Sequence, residues 1–158
     1  AFEEVYVVHP DPEFTREWDS FGGIQLIGEI PDPEAWPGAV KTCVILDDLE
    51  FRLMGVDQKR ALDRLFGYVS SHKNISVMLS AQTCYSITPT IRRMANIFVL
   101  WKCVDGDQLM SLQRKINQPL RRLIKLLTQN HDSIMIDNTP HSPAPLRKNG
   151  YELISVLR

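Results

Sequence analysis

The sequence predicts an α/β domain built on a mainly parallel sheet flanked by helices, and three observations predict it. Cys43-Val44-Ile45-Leu46, Ile75 to Ala81 and Ile97 to Trp101 are short, nearly continuous apolar runs, the pattern of strands buried on both faces. Between the first two runs, Leu62, Leu65, Phe66 and Val69 recur at helical spacing. Strands and helices alternate along the chain, the signature of a sheet whose functional groups gather at the carboxyl ends of its strands.

Taken in order, Glu4 to His9 reads as a first strand, and His9-Pro10-Asp11-Pro12 breaks it because each proline removes a backbone donor. Phe14 to Trp18 reads as a short helix. Ile24 to Ile30 alternates in polarity and reads as an edge strand, and prolines 31, 33 and 37 with Gly38 make the next stretch a loop. Lys41 to Asp47 is the strand that ends abruptly in charge. Asp57 caps a helix from Gln58 to about Ser71. The strand from Ile75 stops at Gln82, and a short helix from Thr90 to Ala95 follows Pro89. The strand at Ile97 to Trp101 comes next. Gln108 to about Gln129 reads as a long helical segment broken at Pro119. Two short strands, Ser133 to Ile136 and Tyr151 to Val156, flank a proline-rich turn. No repeat or linker divides the chain, so residues 1–158 read as a single domain.

The bulk numbers agree. At 158 residues and 44 % apolar content, the chain can bury one core. A formal net charge of −1 leaves any nucleic-acid contact to a local basic stripe or to assembly. Cys43, Cys84 and Cys103 form no CxxC or Cys/His cluster, so a reducing compartment without structural zinc is expected. No stretch approaches the ~20 apolar residues of a membrane span, and the start carries no secretory signal pattern. A soluble intracellular protein with no membrane partner is the expectation.

The chemistry concentrates at two strand ends. Val44-Ile45-Leu46-Asp47-Asp48 delivers two carboxylates at a strand exit, the Walker B pattern, in which one carboxylate holds Mg²⁺ through water and the next orients or deprotonates an attacking water. A buried strand ending in a solvated turn would look the same. The neighbouring strand carries Ser80, Ala81 and Gln82 at its end, where a polar group can sense a γ-phosphate. Arg92 and Arg93 follow about ten residues later, placed either on a solvated helix face or where a cation reaches a neighbour's nucleotide.

Taken together, Cys43 to Asp48, Met78-Leu79-Ser80-Ala81-Gln82, Ile91-Arg92-Arg93-Met94-Ala95-Asn96 and the late Leu146 to Tyr151 run resemble the genome-packaging ATPases of double-stranded DNA viruses, in the FtsK/HerA superfamily. The resemblance implies a RecA-like P-loop ATPase core of the ASCE class, with ATP and Mg²⁺ as cofactors. It gives Asp47 the metal role, Asp48 the catalytic base role, Gln82 the sensor role, and Arg92 or Arg93 the arginine finger. It further implies a homo-oligomeric ring acting on double-stranded DNA, capsid or portal proteins as further partners, and a location at the site of virion assembly in the host cell. Arg114, Lys115, Arg121, Arg122 and Lys125 lie on the long helical segment as a solvated face or a DNA-facing stripe.

One departure matters. No G-x-x-x-x-G-K-[ST] occurs, and Gly22-Gly23 lacks the Lys-Ser/Thr pair. The backbone N–H cradle and the lysine that hold β- and γ-phosphates are therefore missing, and this stretch alone is expected to be inactive. Because Ala1 is not a methionine, the expectation is that about 40–60 further residues precede it, a strand, the phosphate-binding loop and a helix. That strand is expected beside Lys41 to Leu46, whose edge would otherwise stand open, and full pairing of Lys41 to Leu46 on both sides from within the chain would refute both the missing segment and the packaging-ATPase topology. Two other readings remain. A response-regulator receiver could use Asp47, Asp48, Ser80 and Lys102, but Gln82 stands where it needs a third aspartate. An interaction module could keep the ATPase fold without binding nucleotide.

Overall fold

The computed structural model describes residues 1–36, 38–83, 85–101, 106–116, 120–127, 129 and 131–155, with the side chains of residues 33, 111 and 114–116 outside that description. Cys84, Lys102, Cys103 and Pro119 of the sequence reading thus lie outside the described residues. The chain divides into two compact units, Ala1–Met94 and Ala95–Arg158.

In the first unit, β1 (Glu4–Val8), β2 (Ile24–Ile27), β3 (Thr42–Leu46) and β4 (Ile75–Leu79) form a parallel sheet in the order β2-β1-β3-β4. The register aligns Tyr6, Val44 and Val77, and two residues on, Val8, Leu46 and Leu79. Since side chains alternate between faces, these residues share one face with Ile75, and that face packs into a core with Leu62, Leu65 and Val69 of the following helix. The α/β class read from the sequence is observed.

That helix differs in detail from the expectation. It starts at α1 (Val56–Arg64), runs through a π-helical turn at Leu65–Val69 and ends in the short α2 (Ser70–His72). Its N-cap is Gly55, which makes no side-chain bond, and Asp57 lies in the first turn instead, where a carboxylate favours the positive end of the helix dipole. Gln58 accepts the Ile30 N–H at 2.8 Å and donates to the Ile30 carbonyl at 3.1 Å, pinning the preceding loop to the helix. Phe14 to Trp18 forms turns, not a helix. Its Phe14 side chain is exposed, so no apolar stripe is buried to stabilise so short a helix.

The open edge expected at Lys41 to Leu46 is not there. Throughout its length β3 pairs with β1 on one side and β4 on the other. The sheet keeps its strand at Glu4 to Val8 as the inner neighbour, so the segment thought to be missing is not what closes β3.

The second unit is antiparallel. Here β5 (Ile97–Trp101), β6 (Ser133–Asp137), β7 (Leu146–Lys148) and β8 (Glu152–Leu153) pair in that order. The basic run at Leu146 supplies strand β7 and, from Asn149 to Tyr151, the turn into β8. Only one face of β5 is covered: Ile97, Val99 and Trp101 are exposed and alternate with half-buried Phe98 and Leu100. Among the described residues the unit's helices are α4 (Gly106–Ile116) and α5 (Leu120–Ile124). Leu120, Leu123 and Ile124 are buried, as are Ile134 and Ile136 of β6.

Candidate active site at the exits of two parallel strands

Because β3 and β4 are parallel and in register, Leu46 lies opposite Leu79 and the residues that follow emerge side by side. The Ser80 N–H continues the ladder to the Leu46 carbonyl at 3.0 Å, and the Asp47 N–H bonds the Val8 carbonyl at 3.0 Å. Asp47 is thus held by backbone from both neighbouring strands. At Asp48 the chain turns sharply, with φ of +50°, a left-handed conformation that Asp and Asn tolerate better than other residues bearing a Cβ.

Ser80 joins the two carboxylate residues. Its hydroxyl donates to Asp47 Oδ1 at 2.9 Å, and its Oγ accepts the Asp48 backbone N–H at 3.4 Å. Asp47 is half-buried, while Asp48 and Ser80 are exposed. One carboxylate is therefore fixed by a hydrogen bond and the other is open to water, an arrangement that lets the second reach a solvent molecule.

The sequence reading placed the sensor at Gln82. The structure puts Gln82 in the exposed loop two residues beyond, and the hydrogen bond to the acid pair comes from Ser80. Register singles out Ser80: with Leu46 opposite Leu79, the residues that come next, Asp47 and Ser80, emerge side by side, a pairing the sequence alone does not display.

Arg92 and Arg93 ride on α3 (Pro89–Met94), with Arg92 half-buried and Arg93 exposed. Pro89 opens the helix, and Thr88 precedes it as an N-terminal cap, its Oγ1 accepting the Ile91 N–H at 3.3 Å. The Thr88 hydroxyl in turn donates to Asp63 Oδ1 of α1 at 3.1 Å, which anchors the arginine-bearing helix. In the second unit, Arg121, Arg122 and Lys125 are exposed. The side chains of Arg114 and Lys115 lie outside the described residues.

Among the described residues no group of three or more His, Cys, Asp or Glu side chains is placed to hold a metal ion. Magnesium does not need one: it keeps several waters and takes one or two protein oxygens plus phosphate. The Asp47 carboxylate beside the Ser80 hydroxyl is a hard-oxygen pair of that kind. Cys43, on β3, is buried, and burial raises its thiol pKa, which makes it an unreactive core residue. Among the described residues no helix is long and apolar enough to cross a membrane.

A parallel sheet thus carries an acid pair at one strand exit and a polar residue at the next. No protein-family model matches the chain, and no curated protein does. Solved structures do. The DNA-packaging ATPase B204 from Sulfolobus turreted icosahedral virus aligns with TM-score 0.67 at 14 % identity, over 93 % of this chain and 82 % of that one. The genome packaging NTPase B204 from Sulfolobus turreted icosahedral virus 2 aligns in its AMP complex with TM-score 0.67 at 13 % identity, over 98 % and 83 %. Its ATP-gammaS complex aligns with TM-score 0.65 at 14 % identity, over 93 % and 80 %. The chain therefore has the fold of a viral genome-packaging ATPase, even with β3 paired on both sides. What fails is the placement of the missing strand beside β3, not the fold.

Proposed function

We propose that this chain is the core of an ATP-hydrolysing motor subunit that packages or translocates double-stranded DNA as a member of a homo-oligomeric ring, on the pattern of the FtsK/HerA superfamily. The observation that supports the reading most is the Ser80 hydroxyl bonded to Asp47 at the exits of adjacent parallel strands, within a fold shared with packaging NTPases solved with nucleotides.

In this reading Asp47 and the Ser80 oxygen would hold Mg²⁺, which, bound with ATP, would neutralise charge developing on the phosphates. Asp48, exposed beside them, orients the water that attacks the γ-phosphate and takes its proton. Gln82, in the loop beyond, is assigned to sense the γ-phosphate. Arg92 or Arg93 acts on the nucleotide of a neighbouring subunit. Arg114, Lys115, Arg121, Arg122 and Lys125 are assigned to DNA phosphates, with the steep salt dependence that counterion release imposes. Capsid or portal proteins are the further partners, and virion assembly in the host cell is the setting.

The test is phosphate release from Mg·ATP by a version carrying a G-x-x-x-x-G-K-T strand-loop-helix segment. Asp48→Asn should keep ATP binding and lower hydrolysis by about 10²–10⁴-fold, the range for loss of a general base. Wild-type turnover in that variant, or no nucleotide binding by the parent version, would instead favour a nucleotide-independent interaction module. If an arginine acts in trans, rings mixing Asp48→Asn subunits with Arg92→Ala or Arg93→Ala subunits should recover activity that neither variant has alone.

A further inference from the structure

The helix that follows β3 carries a row of side chains that the proposed catalysis does not use. Its inner face packs Ala61, Leu62, Leu65 and Val69 into the core. Its outer face presents Arg60, Arg64, Tyr68 and His72, all exposed and each four residues from the next. In an unbroken α-helix residues four apart drift by about 40° around the axis, so Arg60 and His72 would stand roughly 120° apart. The π-helical turn at Leu65–Val69 holds more residues per turn and rotates the row back into line. The Tyr68 and His72 rings lie together at its end, 4.2 Å between centroids and tilted by 34°.

The row is open as well as aligned. Tyr68 is 57 % exposed, and a Cβ built on the neighbouring Gly67 would meet nothing beyond the helix within 4 Å. Arg60 makes no ion pair among the described residues. Arg64 reaches Glu34 at 3.4 Å with both side chains exposed, a pairing worth little, from which a phosphate can draw the guanidinium. Asp63, the carboxylate between the two arginines in sequence, is bonded by Thr88.

We propose that this face binds single-stranded nucleic acid, with Arg60 and Arg64 on consecutive phosphates and an unstacked base laid onto the Tyr68 and His72 rings. Residues four apart stand about 6 Å apart along a helix axis, the scale of a nucleotide repeat. Cations that track the backbone and aromatic rings that stack the bases are the two means by which single strands are held without regard to sequence. A duplex offers the same phosphates but keeps its bases stacked inside, so the aromatic half of the row selects the single strand. The surface is therefore separate from the double-stranded DNA contact assigned above, and it does not depend on nucleotide hydrolysis.

Fluorescence anisotropy of the 158-residue chain with a labelled oligothymidylate of about 8 nucleotides, compared with a duplex of equal length, tests this. The single strand should bind at least ~10-fold more tightly than the duplex. Its affinity should fall with salt at a log–log slope of about −1.4, the value for two neutralised phosphates of a single strand, and Arg60→Ala should halve that slope. Tyr68→Ala should weaken binding about tenfold, while Tyr68→Phe, which keeps the ring, should bind as the parent does. Gly67→Glu sets a carboxylate in open space beside the row and should weaken binding without lowering Tm. All of these positions are exposed, and circular dichroism checks that each variant is folded. Three results would overturn the proposal: no binding of the oligothymidylate by the parent chain, a duplex bound as tightly as the single strand, or Arg60→Ala and Tyr68→Ala variants that keep the parent's slope and affinity.

Discussion

The two units handle their polar groups in opposite ways. In Ala1–Met94 every strand of the sheet runs in one direction, so the exits of β3 and β4 meet at one end and bring Asp47, Asp48 and Ser80 together. In Ala95–Arg158 the strands alternate in direction, and the polar groups are spread over both ends of β6. Before it, Asp132 is ion-paired to Lys148 at 3.0 Å and accepts Asn149 Nδ2 at 3.1 Å. At its last residue, Asp137 accepts the Thr139 N–H at 2.9 Å and the Ser142 hydroxyl at 2.8 Å. The first arrangement leaves a carboxylate exposed beside a fixed one. The second uses its carboxylates to close turns. Strand direction is what separates a site from a scaffold here.

The comparison breaks most visibly at Asp132, which is almost wholly buried. Asp132→Ala strands Lys148 and orphans the Asn149 amide, and it should cost about 3 kcal/mol, the lower end for breaking a buried pair. Urea unfolding followed by exchange at Ile134 and Ile136 measures this. If the two units divide chemistry from stability, the variant leaves ATP turnover per folded molecule unchanged in the version carrying a phosphate-binding segment.

Ser80→Ala should do the converse. Its hydrogen bonds are solvent-exposed, so stability should fall by no more than about 1 kcal/mol. Turnover should fall roughly tenfold as Asp47 loses its anchor, the equivalent of about 1.4 kcal/mol in the barrier. Equal turnover in both proteins would remove Ser80 from the site.

Thr88→Ala sharpens the comparison within the first unit, because it removes both the cap of α3 and the bond to Asp63. A cost of about 1 kcal/mol is expected, the usual value of an N-cap, read as a lower Tm. The arginine-bearing helix should loosen without unfolding the sheet.

The smallest effect concerns pH. Hydrogen bonds from Thr139, its side chain first and then its backbone, together with the Ser142 hydroxyl, hold the Asp137 carboxyl below the usual aspartate range. A lowered folded pKa means the group adds stability above its unfolded value, about 3.9, and loses it as pH falls through the lower folded value. Protection of the Thr139 amide should therefore be constant above about pH 5 and drop in acid, and Asp137→Asn should abolish the dependence.

How much of this was legible beforehand follows from the range of each interaction. The runs at Cys43 to Leu46 and Ile75 to Leu79 announced parallel strands because burial on both faces demands continuous apolar residues, and the abrupt change to Asp47-Asp48 marked where β3 ends. Pro89 marked a helix start because proline acts on its own backbone. These are local effects, carried by residues adjacent in the chain. Pairing is not local. That Glu4 to Val8 rather than an absent segment borders β3, and that Ser80 rather than Gln82 bonds Asp47, depend on register between strands about thirty or more residues apart. The same holds for β5: its apolar run promised burial on both faces, yet in an antiparallel sheet Ile97, Val99 and Trp101 are left exposed. Composition sets what a strand will tolerate, and only the tertiary structure chooses its neighbours, because the backbone groups that join strands are the same in every residue but proline.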